Sequence, residues 1–156
     1  AYLFATAGLS TGDESSMQIM AAVMASGMVA PIALSLATFI RKSLFTPAEQ
    51  ENGKSAWLLG LSFVSEGAIP FAAADPFRVI PSMMAGGAVT GAISMALSVG
   101  SRAPHGGVFV FFAIDPFWGY LVAIAAGVVV STAAVLAMKQ FWPSKAVEEA
   151  AQNVAA

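Results

Sequence analysis

The sequence has no cysteine and only one histidine in 156 residues. The first absence excludes disulfides, thiolate metal sites and any cysteine able to carry a phosphoryl or acyl group. With one histidine and no other soft ligand, the chain offers no metal-binding set, and no cofactor is expected. Charge is scarce too. Asp, Glu, Lys and Arg make up 10% of the chain, against 58% hydrophobic residues. A soluble domain carries about a quarter charged residues to hold its surface in water, so this surface faces something else, and a lipid bilayer is the expected surrounding. Seven scattered Lys and Arg with a net charge of −2 build no basic patch, which argues against a nucleic-acid partner. An initiating Met and the basic start of a signal peptide are also missing. The chain opens inside a hydrophobic stretch, Ala1-Tyr2-Leu3-Phe4, and reads as a piece whose N-terminal partner is absent.

What is present is long apolar segments. Crossing a bilayer takes roughly 20 such residues, and three segments qualify: 17–40, 79–99 and 117–138. The expected fold class is an all-α membrane protein with three or more transmembrane helices plus two re-entrant hairpin-like segments. The G-x-x-x-G of Gly87 and Gly91 predicts close helix packing. Arg41, Lys42, Lys54, Lys139 and Lys145 are five of the seven cations. They fall in the segments after the first and third spans, which the positive-inside rule puts in the cytoplasm. In the first of these, Thr46-Pro47-Ala48-Glu49 predicts a capping box, with Gly53 as a stop, for a short interfacial helix. Residues 143–156 read as a solvated cytoplasmic tail after a membrane domain at 1–142. Trp57, Trp118, Tyr120 and Trp142 are placed near span ends, where aromatic belts form.

With both cationic segments on one side, the remaining apolar stretches, Trp57–Ala74 and Gly106–Ile114, either both cross or both turn back. The first is interrupted by Ser65-Glu66-Gly67 and Pro70, and the second is about half the necessary length. Both are therefore expected as re-entrant segments, at about 57–77 and 103–115. Such backbone persists at membrane depth only where protein or a watery cavity satisfies it.

These two regions share a pattern. Glu66-Gly67 and His105-Gly106-Gly107 each precede an apolar run and an Asp-Pro-Phe, at Asp75 and Asp115. Asp followed by Pro is a sound helix start, so Asp75 and Asp115 are expected as caps; a structural repeat that brings two loop tips together explains the pattern equally. A carboxylate at membrane depth costs a few kcal/mol, which makes Glu66 the first candidate for a solute site; the alternative is a cap facing interfacial water. His105 is either a structural residue or a second site group beside glycines whose N–H groups bind oxygen atoms. Arg78 and Arg102 are interfacial anchors, or partners of Glu66, Asp75 or a phosphoryl group.

The run Gly60-Leu61-Ser62-Phe63-Val64-Ser65-Glu66-Gly67-Ala68-Ile69-Pro70-Phe71-Ala72-Ala73-Ala74-Asp75-Pro76, continued at Arg78-Val79-Ile80-Pro81-Ser82 and at Arg102-Ala103-Pro104-His105-Gly106-Gly107, resembles the fructose-type enzyme IIC, the permease component of the bacterial phosphoenolpyruvate-dependent sugar phosphotransferase system. The resemblance implies the C-terminal half of a multi-pass permease of the bacterial inner membrane, working as a homodimer. It implies that a phosphorylated IIB domain or subunit phosphorylates the sugar, with fructose the expected substrate, to a sugar 1-phosphate, and that the phosphoryl donor is not in this chain. It further implies that Glu66 and His105 hold sugar hydroxyls; Glu66 is then expected to orient the sugar and act catalytically, and Gly67, Gly106, Gly107 and Arg78 are expected around the substrate. Without the resemblance, two other readings stand: an ion-coupled secondary transporter with Glu66 as its proton or ion site, and an assembly subunit in which Glu66 is paired with Arg78 or Arg102.

Overall fold

The computed structural model describes residues 13–103 and 106–141. Asp13 opens the first helix, α1 (Glu14–Ile40), its carboxylate accepting from the Ser16 N–H at 2.9 Å. After a 3-10 turn (Lys42–Leu44) come α2 (Pro47–Leu61), a second 3-10 turn (Ser65–Ala68), the short α3 (Ile69–Ala74) and the long α4 (Pro76–Ala96). Strand β1 (Gly100–Ser101) pairs antiparallel with β2 (Ile114–Asp115) around a 3-10 segment (Gly107–Ala113), and α5 (Phe117–Phe141) follows. Helices α1, α4 and α5 are long and apolar enough to cross a membrane. They match the three expected spans, each starting at or up to three residues before its predicted first residue, although α4 ends at Ala96, three residues short of the expected 99.

α1 lies at the centre, packed against α2, α4 and α5. Met20, Met24, Met28 and Val29 on it are fully buried with Tyr120 and Val128 of α5. Hydroxyl-to-carbonyl bonds tie the long helices together, the kind of polar contact that holds helices where water does not drive them together. Ser26 donates to the Gly87 carbonyl at 2.9 Å, Ser131 to that of Ser82 at 3.2 Å and Thr132 to that of Ala33 at 3.3 Å. The tightest approach is between α4 and α5, at Gly86 and Gly127. A Cβ on Gly127 would lie 2.9 Å from the Gly86 carbonyl oxygen and collide with the Thr90 hydroxyl. The Gly87 and Gly91 pair faces Ser26 of α1 with ordinary contact distances, so the closest packing sits one residue away from the motif and uses a glycine outside it. Gly127→Val is expected to cost about 1–3 kcal/mol by overpacking, read as a lower melting temperature of the full-length protein in detergent.

Four sequence expectations change here. The capping box is present, with Thr46 accepting from the Glu49 N–H and Glu49 reaching back to the Thr46 N–H at 2.8 Å. Yet Gly53 does not end the helix. It lies buried against Thr38, and its carbonyl accepts from the Ser35 hydroxyl at 2.6 Å. The missing side chain thus lets α2 lie close on α1, and α2 continues to Leu61. Asp75 occupies the cap position of α4, but its side chain caps no N–H; the carboxylate instead accepts from Arg78 at 2.6 Å. Asp115 is no cap at all. It belongs to β2, is joined to Pro116 by a cis peptide, and α5 starts only at Phe117. Tyr120 is a core residue rather than part of an aromatic belt, fully buried with its hydroxyl 3.1 Å from the Met28 sulfur. Trp142 and the predicted tail lie outside the described residues.

Candidate functional site: two hairpin tips at mid-helix

α2 runs antiparallel along α1. Gly53 meets Thr38, Gly60 meets Pro31 and Ile32, and Phe63 meets Gly27. Residue 27 is the midpoint of the 27-residue α1, so the chain turns back about 20 Å from either helix end, at 1.5 Å per residue. It then returns to its starting level, where Phe71 stacks edge-on against Phe45 with ring centroids 6.1 Å apart. The first hairpin is built of α2 and α3, so it begins at Pro47, ten residues before the expected start at 57, and takes in the segment expected as a separate interfacial helix.

The turn itself is a helix stop in which the N–H of Phe63 bonds to the Gly60 carbonyl at 3.0 Å and that of Val64 to Leu59 at 2.8 Å. This pattern places a left-handed residue, normally glycine, just past the helix. Here it is Phe63, at φ 64°, a conformation costly for a bulky side chain. Its ring packs over Gly27, where a Cβ would come within 2.7 Å of the ring edge, so contact with α1 holds the strained backbone.

A proline on α1 anchors the next residues. Pro31 lacks the N–H that would bond to the Gly27 carbonyl within the helix, and the Ser65 hydroxyl donates to that carbonyl at 3.2 Å. On the other side, the Asn52 side chain donates to the Gly67 carbonyl at 2.8 Å. Gly67 is buried against Ala56 and Leu59. Ser65 and Gly67 are thus both fastened, and Glu66 between them is exposed. Among the described residues its carboxylate has no ion-pair partner, neither Arg78 nor Arg102. That removes the structural pairing expected of an assembly subunit.

The second hairpin enters from the opposite end. Its base is the β1–β2 pair, with Gly100 beside Met17 on the first turn of α1 and the Arg102 N–H bonded to the Ala113 carbonyl at 2.9 Å. Its tip reaches the first hairpin at Gly107, whose φ is +61° and where an added Cβ would collide with the Leu61 carbonyl and lie 2.9 Å from the Phe63 nitrogen. Gly106, at φ +120°, precedes it. The tips therefore meet near the middle of α1, where Gly107 lies against Leu61 and Phe63; Glu66 follows Phe63 by three residues, and Gly67 and Gly106 adjoin Glu66 and Gly107 in the chain. Arg78 does not join them; it is engaged with Asp75 on the first turn of α4. His105 lies outside the described residues.

A buried ion pair escaped the sequence reading. Lys139 Nζ lies 2.8 Å from Glu49 Oε1 and 4.2 Å from the Phe45 ring centroid, with both side chains 3% exposed. It joins the start of α2 to the end of α5, where Arg41 also meets Gln140 at 3.4 Å. Arg41 and Lys139 thus lie at one end of the described structure. Lys139 nevertheless counts as a structural partner rather than a solvated flank. Among the described residues no group of three or more His, Asp or Glu is placed to hold a metal ion.

The relatives fit this architecture. The chain is 52% identical over 143 residues to the "PTS system fructose-specific EIIB'BC component" of Escherichia coli, covering 90% of the chain. It is 46% identical over 145 residues, 93% of the chain, to the "PTS system fructose-specific EIIC component" of Haloferax volcanii. It is 43% identical over 131 residues, 84% of the chain, to the "Fructose permease IIC component" of Bacillus amyloliquefaciens. The chain spans only 25%, 38% and 42% of these relatives' own lengths. No family model and no solved structure matches it. With three membrane-length apolar helices and this identity across most of its length, the chain is a membrane protein and belongs to the fructose-type enzyme IIC family of permease components.

Proposed function

We propose that this chain supplies the solute-binding hairpins of a fructose permease whose substrate is phosphorylated by a IIB partner. The observation that carries the reading is the Glu66 carboxylate, exposed and unpaired among the described residues, three residues past Phe63, where two hairpins that enter from opposite ends touch. A charge at that depth is costly unless polar groups or water surround it, and a polyhydroxylated sugar is such a surrounding. Hydroxyl groups donate to the carboxylate in charge-assisted bonds, the strong class of hydrogen bond. Glu66 orients the sugar and accepts the proton of the attacking hydroxyl, while the phosphorylated IIB partner approaches from the end that holds Lys139 and Glu49. Positioning is most of what phosphoryl transfer asks of a protein. Gly67, Gly106 and Gly107 let backbone approach the solute, and His105 is a second hydroxyl partner. Arg78 acts at one remove, by holding Asp75 at the start of α4. The phosphoryl donor residue belongs to the IIB partner, in keeping with the EIIB and EIIC parts joined in the relatives' names. The remainder of the permease covers the open side of Glu66, and the whole works as a dimer in the bacterial inner membrane.

The test is Glu66→Gln and Glu66→Ala in the full-length permease, assayed for phosphoenolpyruvate-dependent fructose phosphorylation. One charged hydrogen bond contributes about 1.5–3 kcal/mol, so the alanine variant should lose roughly 10- to 150-fold in kcat/KM, with glutamine retaining part of that. Wild-type rates in both variants would overturn the assignment. Uptake driven by a proton gradient without phosphoenolpyruvate would instead favour ion coupling, to which the relatives' names lend no support.

A further inference from the structure

At the end of the molecule opposite Lys139 and Glu49 lies a cavity of about 600 Å³ that contains none of the residues assigned above. Two elements build it. Glu14 and Gln18 project from successive turns of α1, while Arg102 and Asp115 flank the base of the second hairpin, held there by the β1–β2 pair and the bond from the Arg102 N–H to Ala113. Met17 and Phe112 add apolar wall. Among the described residues Glu14, Arg102 and Asp115 form no ion pair with one another or with any other group. Two carboxylates, an amide and a guanidinium thus face one space with their hydrogen-bonding capacity unspent. The volume lies in the range of small-molecule sites, where a few polar groups on an apolar wall set orientation.

We propose that this cavity is an outer receiving site for a neutral polyhydroxylated solute, occupied before the solute reaches the hairpin tips. Hydroxyls both donate and accept, so they engage carboxylates and guanidinium together; the apolar wall suits the C–H face of a sugar ring. Two acidic groups against one basic group leave a net negative charge, which repels a phosphorylated sugar. The site therefore accepts the substrate and rejects the product. The second hairpin links the two places directly, because its base lines the cavity and its tip, at Gly107, touches the first hairpin. The proposal rests on the permease reading above for the identity of the solute and for which end faces outward.

The experiment compares full-length permease in right-side-out and inverted membrane vesicles, with fructose as the probe. Arg102→Gln and Asp115→Asn should each raise the KM for fructose supplied at the outer face roughly 10- to 150-fold, the loss of one hydrogen bond to a charged group. Phosphorylation of fructose supplied at the cytoplasmic face should keep its KM. Gln18→Ala, a milder truncation on a different element, carries the same comparison if either charged variant fails to assemble. An unchanged KM at the outer face overturns the proposal, and so does an equal rise at both faces. Glu66→Ala separates this proposal from the one before it. If that variant phosphorylates normally while Arg102→Gln still raises only the outer KM, the Glu66 assignment fails and the receiving site stands.

Discussion

Lys139→Met is expected to destabilise the protein by about 3–5 kcal/mol, the cost of leaving a buried carboxylate without its partner. Glu49 is 3% exposed and bonded to Lys139 at 2.8 Å. Its second oxygen is already committed to the Thr46 N–H at 2.8 Å, so the carboxylate cannot swing out to water without undoing the start of α2. Glu49→Gln strands the ammonium group instead, over the Phe45 ring, with a penalty of similar size. The informative measurement is the double variant. If the pair acts as a unit, Glu49→Gln with Lys139→Met is less destabilised than the sum of the single changes by about 1–3 kcal/mol. Additive losses in detergent melting or denaturant unfolding of the full-length protein would show that the two groups act separately. Because the pair fastens the base of the first hairpin to α5, the single variants should also lose fructose phosphorylation in proportion to the folded protein lost.

Gly107→Ala is the second large effect expected. Two costs fall together at this position. The backbone is left-handed at φ +61°, and an added Cβ would lie 2.9 Å from the Phe63 nitrogen while colliding with the Leu61 carbonyl. Neither neighbour is a flexible side chain, so the tips must separate. Overpacking of this kind costs about 1–3 kcal/mol, and the left-handed backbone adds roughly 1 kcal/mol or more. The result should be a loss of fructose phosphorylation larger than the loss of folded protein, because the changed residue lies where the two hairpins meet. Gly106→Ala provides the comparison. It is also at positive φ, but its added Cβ would press on the Val110 side chain, which can rotate away. Equal activities for the two variants would mean that contact between the tips is not what the site needs.

The fold was legible where one local property decides it. Membrane residence and the three long helices follow from apolar length, since α1, α4 and α5 present hydrophobic side chains to helix neighbours and to their outer faces alike. The cations after the first and third spans cluster in the sequence, and the structure places Arg41 and Lys139 at the same end. That two apolar stretches turn back was expected from the interruptions in the first and the short length of the second, since counting crossings left both outcomes open. The capping box at Thr46 and Glu49 was readable because both partners lie within one helical turn.

Only the tertiary structure decided what depends on residues far apart in the chain. Gly53 looks like a helix stop locally, but it is the place where α1 and α2 lie close together. Asp75-Pro76-Phe77 and Asp115-Pro116-Phe117 are the same tripeptide with different outcomes. Arg78 draws the first aspartate from the cap, and pairing of Gly100 with Asp115 holds the second in a strand. The Lys139 and Glu49 pair spans 90 residues, and no period or motif announces it. The meeting of the hairpin tips depends equally on long-range contact, because Gly107 touches Leu61 and Phe63 only after α1 has set the depth of both. The scarcity of charge and the long apolar segments placed this protein in a membrane, and the absence of cysteine excludes a phosphocysteine in this sequence. Its few ionisable groups acquired roles only through packing: Lys139 was buried, Arg78 engaged with Asp75, and Glu66 left exposed, because fixed neighbours on α1 and α2 hold the residues on either side of it.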